Sequence, residues 1–246
     1  MMETLHQLLT SSGINLTILW DPIDRQRFLT GLGLTIALAF LSVAISLVIG
    51  ILGAWMKGSR WEFPRQLVTL YVEVFRNTPL LIQLFFFYFG LGALLSFELN
   101  EGSAHIQMLH NFGWALLVLG IHAGAYQVEA IRGSLDAVPR STIEAAQSLG
   151  LSSGKIFRKV ILPLALRNSL PAVSNSMVQA VKATSVAYAI AVPELTYAAN
   201  RIWSDNLNVP EMMVVLFITY FTLLGLVSIG MRAIERRLTL PGYHGL

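Results

Sequence analysis

The sequence predicts an all-α integral membrane protein with five transmembrane helices, N-terminus outside and C-terminus in the cytoplasm. Composition is the first reason: of 246 residues, 54% are hydrophobic and only 13% charged, and mean hydropathy is +0.62. Soluble domains carry about 25% charged residues, and a small soluble fold has too much surface to hide so much apolar area. The second reason is five apolar stretches near the roughly 20 residues a helix needs to cross hydrocarbon. The third is the one-sided distribution of Lys and Arg between them.

The first span covers about 32–56 and is closed by Lys57, Ser59 and Arg60. The second, about 67–95, is interrupted by Arg76, Asn77, Thr78 and Pro79. The third covers about 112–131, a fourth and more polar one about 172–192, and the fifth about 212–231. Residues 1–27 hold Leu5, Leu8 and Leu9 and then the stretch 14–20, too short and interrupted to cross a membrane. With no basic leader or small-residue cleavage site, this segment is read as interfacial rather than as a signal peptide. No soluble domain, low-complexity stretch or strong internal repeat is visible.

Twelve Lys and Arg lie on one side: Lys57, Arg60 and Arg65, the six from Arg132 to Arg167, and Arg232, Arg236 and Arg237. Only Arg25, Arg27 and Arg201 lie on the other, while Arg76 and Lys182 fall within spans. The positive-inside rule makes the first side cytoplasmic. It also accounts for the pI near 9.3 without a nucleic-acid partner. Trp55 and Trp61 at the inner end of span one, and Trp114 at the outer end of span three, are expected in the interfacial belts. The absence of cysteine excludes a disulfide scaffold.

The longest hydrophilic stretch, 132–159, is cytoplasmic. Ser141 and Glu144 have the spacing of a capping box, and Pro139 stops the preceding helix. A helix from Thr142 to about Leu149 is expected to end at Gly150 in a left-handed cap. Ser152 would cap a second helix running to about Leu162 and closed by Pro163. Ala145 and Ala146 would keep one face thin enough for a partner's groove, with Ile143 and Leu149 adding apolar contact. An amphipathic connector resting on lipid phosphates through Lys155, Arg158 and Lys159 is the alternative.

The spacing of Glu144, Ala145, Ala146, then Gly150, then Val160, Ile161, Leu162 and Pro163 resembles the EAA motif of permease subunits in type I ABC importers. The family usually has Ile at the place of Val160. Residues 71–85, with Arg76, Asn77, Thr78, Pro79 and Gln83, resemble the second-span signature of the polar amino acid uptake subfamily (histidine, glutamine, glutamate, arginine and opine permeases). So do Ala125, Tyr126, Glu129, Arg132 and Gly133, and later Lys182, Thr184, Ser185, Val192, Pro193 and Glu194. The likeness covers about residues 30–235.

That resemblance implies a five-helix permease domain over 28–235, a coupling loop at 139–163 and a cytoplasmic tail at 236–246. It implies that Glu144, Ala145, Ala146, Gly150, Leu162 and Pro163 meet a cytoplasmic ABC ATPase dimer, which uses the ATP and magnesium; this chain would bind no cofactor or metal. A second permease subunit, identical or related, and a periplasmic amino-acid-binding protein would complete the system in the inner membrane. Gly150, Gly154 and Lys155 superficially resemble a phosphate loop, but there are three residues between the glycines instead of four, and Ile156 follows the lysine.

Ionisable groups within a bilayer are costly and mark function or pairing. Glu73 and Arg76 are three apart and can pair, or Arg76 can reach the interface; Glu129 and Arg132 have the same spacing. On span four, Asn175, Gln179 and Lys182 share a helix stripe that Thr184 and Ser185 extend, and this stripe is expected to line the substrate path. Gly120 and Gly124 form a small-xxx-small pair suited to helix packing. Relatives that carry cationic amino acids often have acids where this chain has Ser176 and Ala183, which leans the expected substrate toward a polar neutral or acidic amino acid. The alternative is an ion-gradient-driven secondary amino acid transporter, a class that shows internal repeats. A membrane enzyme finds no support in the scattered His6, His105, His110, His122 and His244.

Overall fold

The computed structural model describes residues 14–94 and 110–238, and no strand occurs among them. Leu5, Leu8, Leu9, His6, His105, His244, the end of the second span and most of the 236–246 tail lie outside the described residues. The helices are α1 (Thr17–Trp20), α2 (Pro22–Lys57), α3 (Glu62–Asn77), α4 (Leu80–Phe85), α5 (Asn111–Asp136), α6 (Arg140–Ser148), α7 (Ser153–Ile156), α8 (Leu162–Ala183), α9 (Leu195–Asn206) and α10 (Val209–Leu238). π-helical turns follow α4 and α7, over Phe86–Leu91 and Phe157–Ile161, and a tighter 3-10 helix, Thr184–Ile190, follows α8.

α2, α5 and α10 are each long and apolar enough to cross a bilayer, and the broken pair formed by α3 and the helix from Leu80 to Leu94 can supply one more crossing. α2 begins ten residues before the expected start of span one. Pro22 opens it with a φ already suited to a helix, and the Asp21 carboxylate accepts the Ile23 N–H at 2.8 Å. Pro79 demands an extended residue before it, and Thr78 obliges (φ −115°, ψ 141°), so the helix stops at Asn77. The expected fourth span, 172–192, is helical only as far as Ile190, and the polar residues that singled it out keep it below the apolarity of the others.

The contacts divide the chain into two compact units. The first comprises Met1–Leu41, Leu80–Leu119 and Ala180–Leu226. Its apolar centre gathers Leu38, Leu84, Ala115, Val118, Ala187, Ile190 and Val192 around Trp114. Trp114 is therefore not a belt residue: it is only 6% exposed, and its ring lies against Gly92. Burying so large a ring in protein yields more than leaving it at an interface. Asn15, in the segment expected to be interfacial, is held to the start of α10: its N–H donates to Glu211 at 3.1 Å and its carbonyl accepts from Asn208 at 2.7 Å.

A fully buried carboxylate organises the same unit. Glu194 caps α9, accepting the Thr196 and Tyr197 N–H groups at 2.9 and 3.0 Å. Tyr220 of α10 donates to it at 3.2 Å, and Thr35 of α2 approaches it at 3.5 Å while accepting the Leu195 N–H at 3.0 Å. Burial pushes the Glu194 pKa above the usual carboxylate range, and the backbone and hydroxyl donors pull the other way without cancelling it.

The second unit comprises Ser42–Pro79, Gly120–Gln179 and Val227–Leu246. Here α2 and α5 meet through glycines, as the small-xxx-small spacing anticipates. A Cβ at Gly120 would lie 2.6 Å from the Ile45 side chain, and one at Gly124 would lie 2.7 Å from Ile49 and 2.9 Å from the Tyr71 hydroxyl. That hydroxyl donates to the Ile121 carbonyl, fixing α3 on α5.

Two measurements follow in detergent-solubilised protein. Gly124→Val should lower the unfolding midpoint, an overpacking cost of about 1–3 kcal/mol, while Gly225→Ala, which meets nothing within 4 Å, should stay near wild type. For Glu194, the raised folded pKa stabilises the fold fully below the unfolded value, and that contribution is lost as pH rises through the folded pKa. The melting advantage of wild type over Glu194→Gln should therefore be largest at low pH and shrink as pH rises. Glu194→Ala should destabilise at every pH by leaving buried donors unmet, at about 1–3 kcal/mol each.

Candidate functional site

The hydrophilic loop forms a corner of two helices, in the order the spacing anticipates but with different ends. α6 starts at Arg140, with Pro139 as its N-cap and no side-chain cap. The Pro139 carbonyl receives the Thr142 and Ile143 N–H groups at 3.1 and 3.4 Å. Ser141 thus lies inside the first turn, where it cannot cap, and the expected capping box with Glu144 does not form. Proline brings no N–H of its own to satisfy, which suits it to this place.

The other end is as expected. Gly150 has φ +73°; the Leu151 N–H returns to the Ala146 carbonyl at 3.3 Å and the Gly150 N–H to Gln147 at 2.8 Å. This pair of bonds is a Schellman cap, which needs a left-handed residue at its corner. Ser152 is the N-cap of α7, though its hydroxyl makes no capping bond. Pro163 does not close the second helix: α7 runs through the π-helical turn Phe157–Ile161 into α8. The wider turn returns the Leu162 N–H to the Phe157 carbonyl, and such a shifted ladder accommodates a following residue with no N–H to give.

The corner exposes only part of the face predicted for a partner. Glu144, Ala145 and Gly150 are exposed, and Leu149 is bare at 81%. Ala146 is buried instead, because α6 packs against α7 and the π-helical turn, where Ile156 is also buried. Leu162 and Pro163 are exposed. The exposed small and apolar residues of the corner are therefore Ala145 and Leu149, one turn apart.

On α8, Asn175, Gln179 and Lys182 are all exposed, as a polar stripe requires. Thr184 leaves that stripe: it is fully buried and donates to the Val181 carbonyl at 2.8 Å. The Ser185 hydroxyl likewise turns back to the Lys182 carbonyl at 2.8 Å. Both hydroxyls serve the change to the 3-10 helix.

Charged groups of the second unit find partners other than those the spacing offered. Lys57 at the end of α2 pairs with Glu129 of α5, and Arg132 pairs with Asp136 at 2.9 Å. They line a cleft of about 550 Å³ with Arg65, Glu73 and Thr69. Glu73 does not pair with Arg76. The Arg76 guanidinium instead lies 5.4 Å from the centre of the Tyr126 ring, and the Tyr126 ring is tilted against that of His122, with centroids 5.3 Å apart. Sequence spacing missed the Lys57 and Tyr126 contacts because each joins separate helices. The signal for Glu194 was present: an acid after proline at a helix start is an N-cap.

Residues 46–240 match the family model described as binding-protein-dependent transport system inner membrane component. The chain is 34% identical over 199 residues to the nopaline transport system permease protein NocM of Agrobacterium fabrum, covering 79% of this chain and 82% of that one. It is 35% identical over 188 residues to the histidine/lysine/arginine/ornithine transport system permease protein HisM of Escherichia coli, covering 74% and 77%. Among solved structures, an amino acid ABC transporter crystallised with histidines superposes with a TM-score of 0.79 at 31% identity, over 91% of this chain and all (100%) of that one. The folded corner, the apolar helices and these likenesses agree, and the chain belongs to the binding-protein-dependent transport system inner membrane component family, as a type I ABC transporter permease of the polar amino acid kind.

Proposed function

We propose that this chain is a membrane-spanning subunit of an ATP-driven importer that carries a polar amino acid inward across the inner membrane. The observation that supports it most is the Schellman-capped corner, a rigid helix end presenting Glu144, Ala145 and Leu149 outward. In this reading 28–235 is the permease domain with five crossings, N-terminus outside, and 139–163 is the loop that an ATPase dimer grips. Glu144, Ala145, Gly150, Leu162 and Pro163 form the contact, with Ala146 as its buried support. ATP and magnesium act in the ATPase. A second permease subunit, an external binding protein and surrounding lipid complete the system.

Asn175, Gln179 and Lys182 are the proposed path-lining residues, with Thr184 and Ser185 shaping the backbone behind them. Ser176 and Ala183 favour a neutral or acidic substrate. The relatives' names, which speak of opines and basic amino acids, argue against that lean. The proposal therefore specifies a polar amino acid and assigns no sign to its side-chain charge.

Purification of the chain with its native neighbours should bring down a stoichiometric ATPase, and proteoliposomes of the complex with binding protein should accumulate an amino acid only with ATP. Gly150→Val places a branched residue at φ +73°, a strain of about 1–2 kcal/mol, and should cut uptake and substrate-stimulated ATP hydrolysis severalfold. Gly150→Asn, which tolerates this conformation, should stay near wild type. Full uptake by Gly150→Val, or ATP-independent uptake under an ion gradient, would sink the reading.

Lys182→Ala separates the path from the loop. It should slow uptake while leaving the ATPase bound. Unchanged uptake kinetics would remove Lys182 from the path.

A further inference from the structure

We propose that Arg76, held over the Tyr126 ring at the break in the second apolar segment, receives the α-carboxylate of the transported amino acid. The inference rests on the proposed function and adds to the path a residue on a different helix from the α8 stripe.

Depth comes first. Tyr126 lies fifteen residues after the start of α5 and ten before its end, roughly 22 and 15 Å along the axis at about 1.5 Å per residue. With the third span at 112–131, Tyr126 lies five residues, roughly 8 Å, inside its inner end, within hydrocarbon about 30 Å thick. The Arg76 guanidinium, 5.4 Å from the ring centre, shares that depth. Yet Arg76 is exposed on the chain surface and Tyr126 is 43% exposed. A permanent cation at this depth is not stable against lipid tails, so the face it presents borders water or protein.

Pairing comes second. Among the described residues no carboxylate forms an ion pair with Arg76, and Glu73, one turn away on α3, does not reach it. The ring attracts the cation and orients it but neutralises nothing. A planar guanidinium so held presents its fork of donors to a carboxylate better than a lysine can. The helix break next to it, with Asn77 exposed, opens polar backbone at the same level, as broken membrane helices do at the substrate sites of transporters. Every α-amino acid carries the carboxylate, so this contact would recognise what all candidate substrates share.

The test uses the purified permease, with whatever ATPase it carries, in detergent without binding protein. An equimolar mixture of the twenty L-amino acids, and in parallel the same set as α-carboxamides, is dialysed against it and the retained species are read by mass spectrometry. Wild type should retain at least one acid about tenfold over its amide, the gain of one charge-assisted pair. Arg76→Met should abolish that discrimination, and Arg76→Lys should keep part of it. Tyr126→Leu should weaken retention and Tyr126→Phe should not. Equal retention of acid and amide, which is the outcome if an acidic group of a second subunit occupies Arg76, overturns the proposal. So does no retention by wild type, or wild-type discrimination in Arg76→Met. Should Arg76→Met fail to assemble, the Tyr126 pair decides: equal retention by Leu and Phe overturns it. Failure of the importer reading is separate, and appears as the absence of ATP-dependent accumulation.

Discussion

Lipid tails offer no hydrogen bond, so each polar group of this chain at hydrocarbon depth has to be answered by protein or by an enclosed aqueous path. That constraint explains features that otherwise look unrelated. The Thr184, Ser185 and Thr219 hydroxyls all turn back onto carbonyls of their own helices. Tyr71 gives its hydroxyl proton to a carbonyl of α5, a donor spent on helix packing. Glu194, between the fourth and fifth spans, meets the same demand through burial in protein: a carboxylate with no exposure that gathers donors from α2, α9 and α10. Its removal would leave several orphans at once, so it acts as a joint of its unit.

The local half of this design was legible in the sequence. Apolar runs marked the cores of α2, α5 and α10, because a membrane helix needs only length and apolarity. Gly150 was legible because a left-handed corner suits few other residues, and Gly120 with Gly124 because close helix approach leaves no room for a side chain. Pro79 announced the break, since its ring forbids a helical residue before it. What stayed hidden was set by distant neighbours. Trp114 has the position of a belt residue and becomes core only because Leu38, Leu84 and Ile190 converge on it. Glu129 had a ready local partner in Arg132 and took Lys57 instead. The Ser141 capping box failed for a local reason that spacing does not express: Pro139 starts the helix two residues earlier.

The loop shows how such a correction changes a functional reading. The paired alanines of the EAA motif suggested one thin surface, yet only Ala145 faces out. Ala146 is thin for the opposite reason, letting α6 settle against α7 and the π-helical turn. The exposed apolar contact then falls to Leu149, beside the Schellman corner. On the proposed reading, a push on Leu149 would meet a helix end whose Ala145, Ala146 and Gln147 carbonyls are already bonded, and displacement would pass into α7 and the continuous helix after it.

Charge placement separates structural from functional ions in this chain. Lys57 with Glu129, and Arg132 with Asp136, are opposite charges in contact, neutral as pairs, in a cleft where helix ends meet. They ask for nothing further. Arg76 differs in each respect: it lies within the second apolar segment, its neighbour is a ring rather than an acid, and it is exposed. A cation stacked on a ring keeps its charge, so the site is electrostatically incomplete while empty and complete with an anion. A permease has reason to hold such a site open, because a carboxylate pairing permanently with Arg76 from its own chain would exclude the substrate's. The missing Glu73 pair is therefore informative: the acid one turn away lines the cleft that holds the paired charges, and the guanidinium is left for a carboxylate that comes and goes.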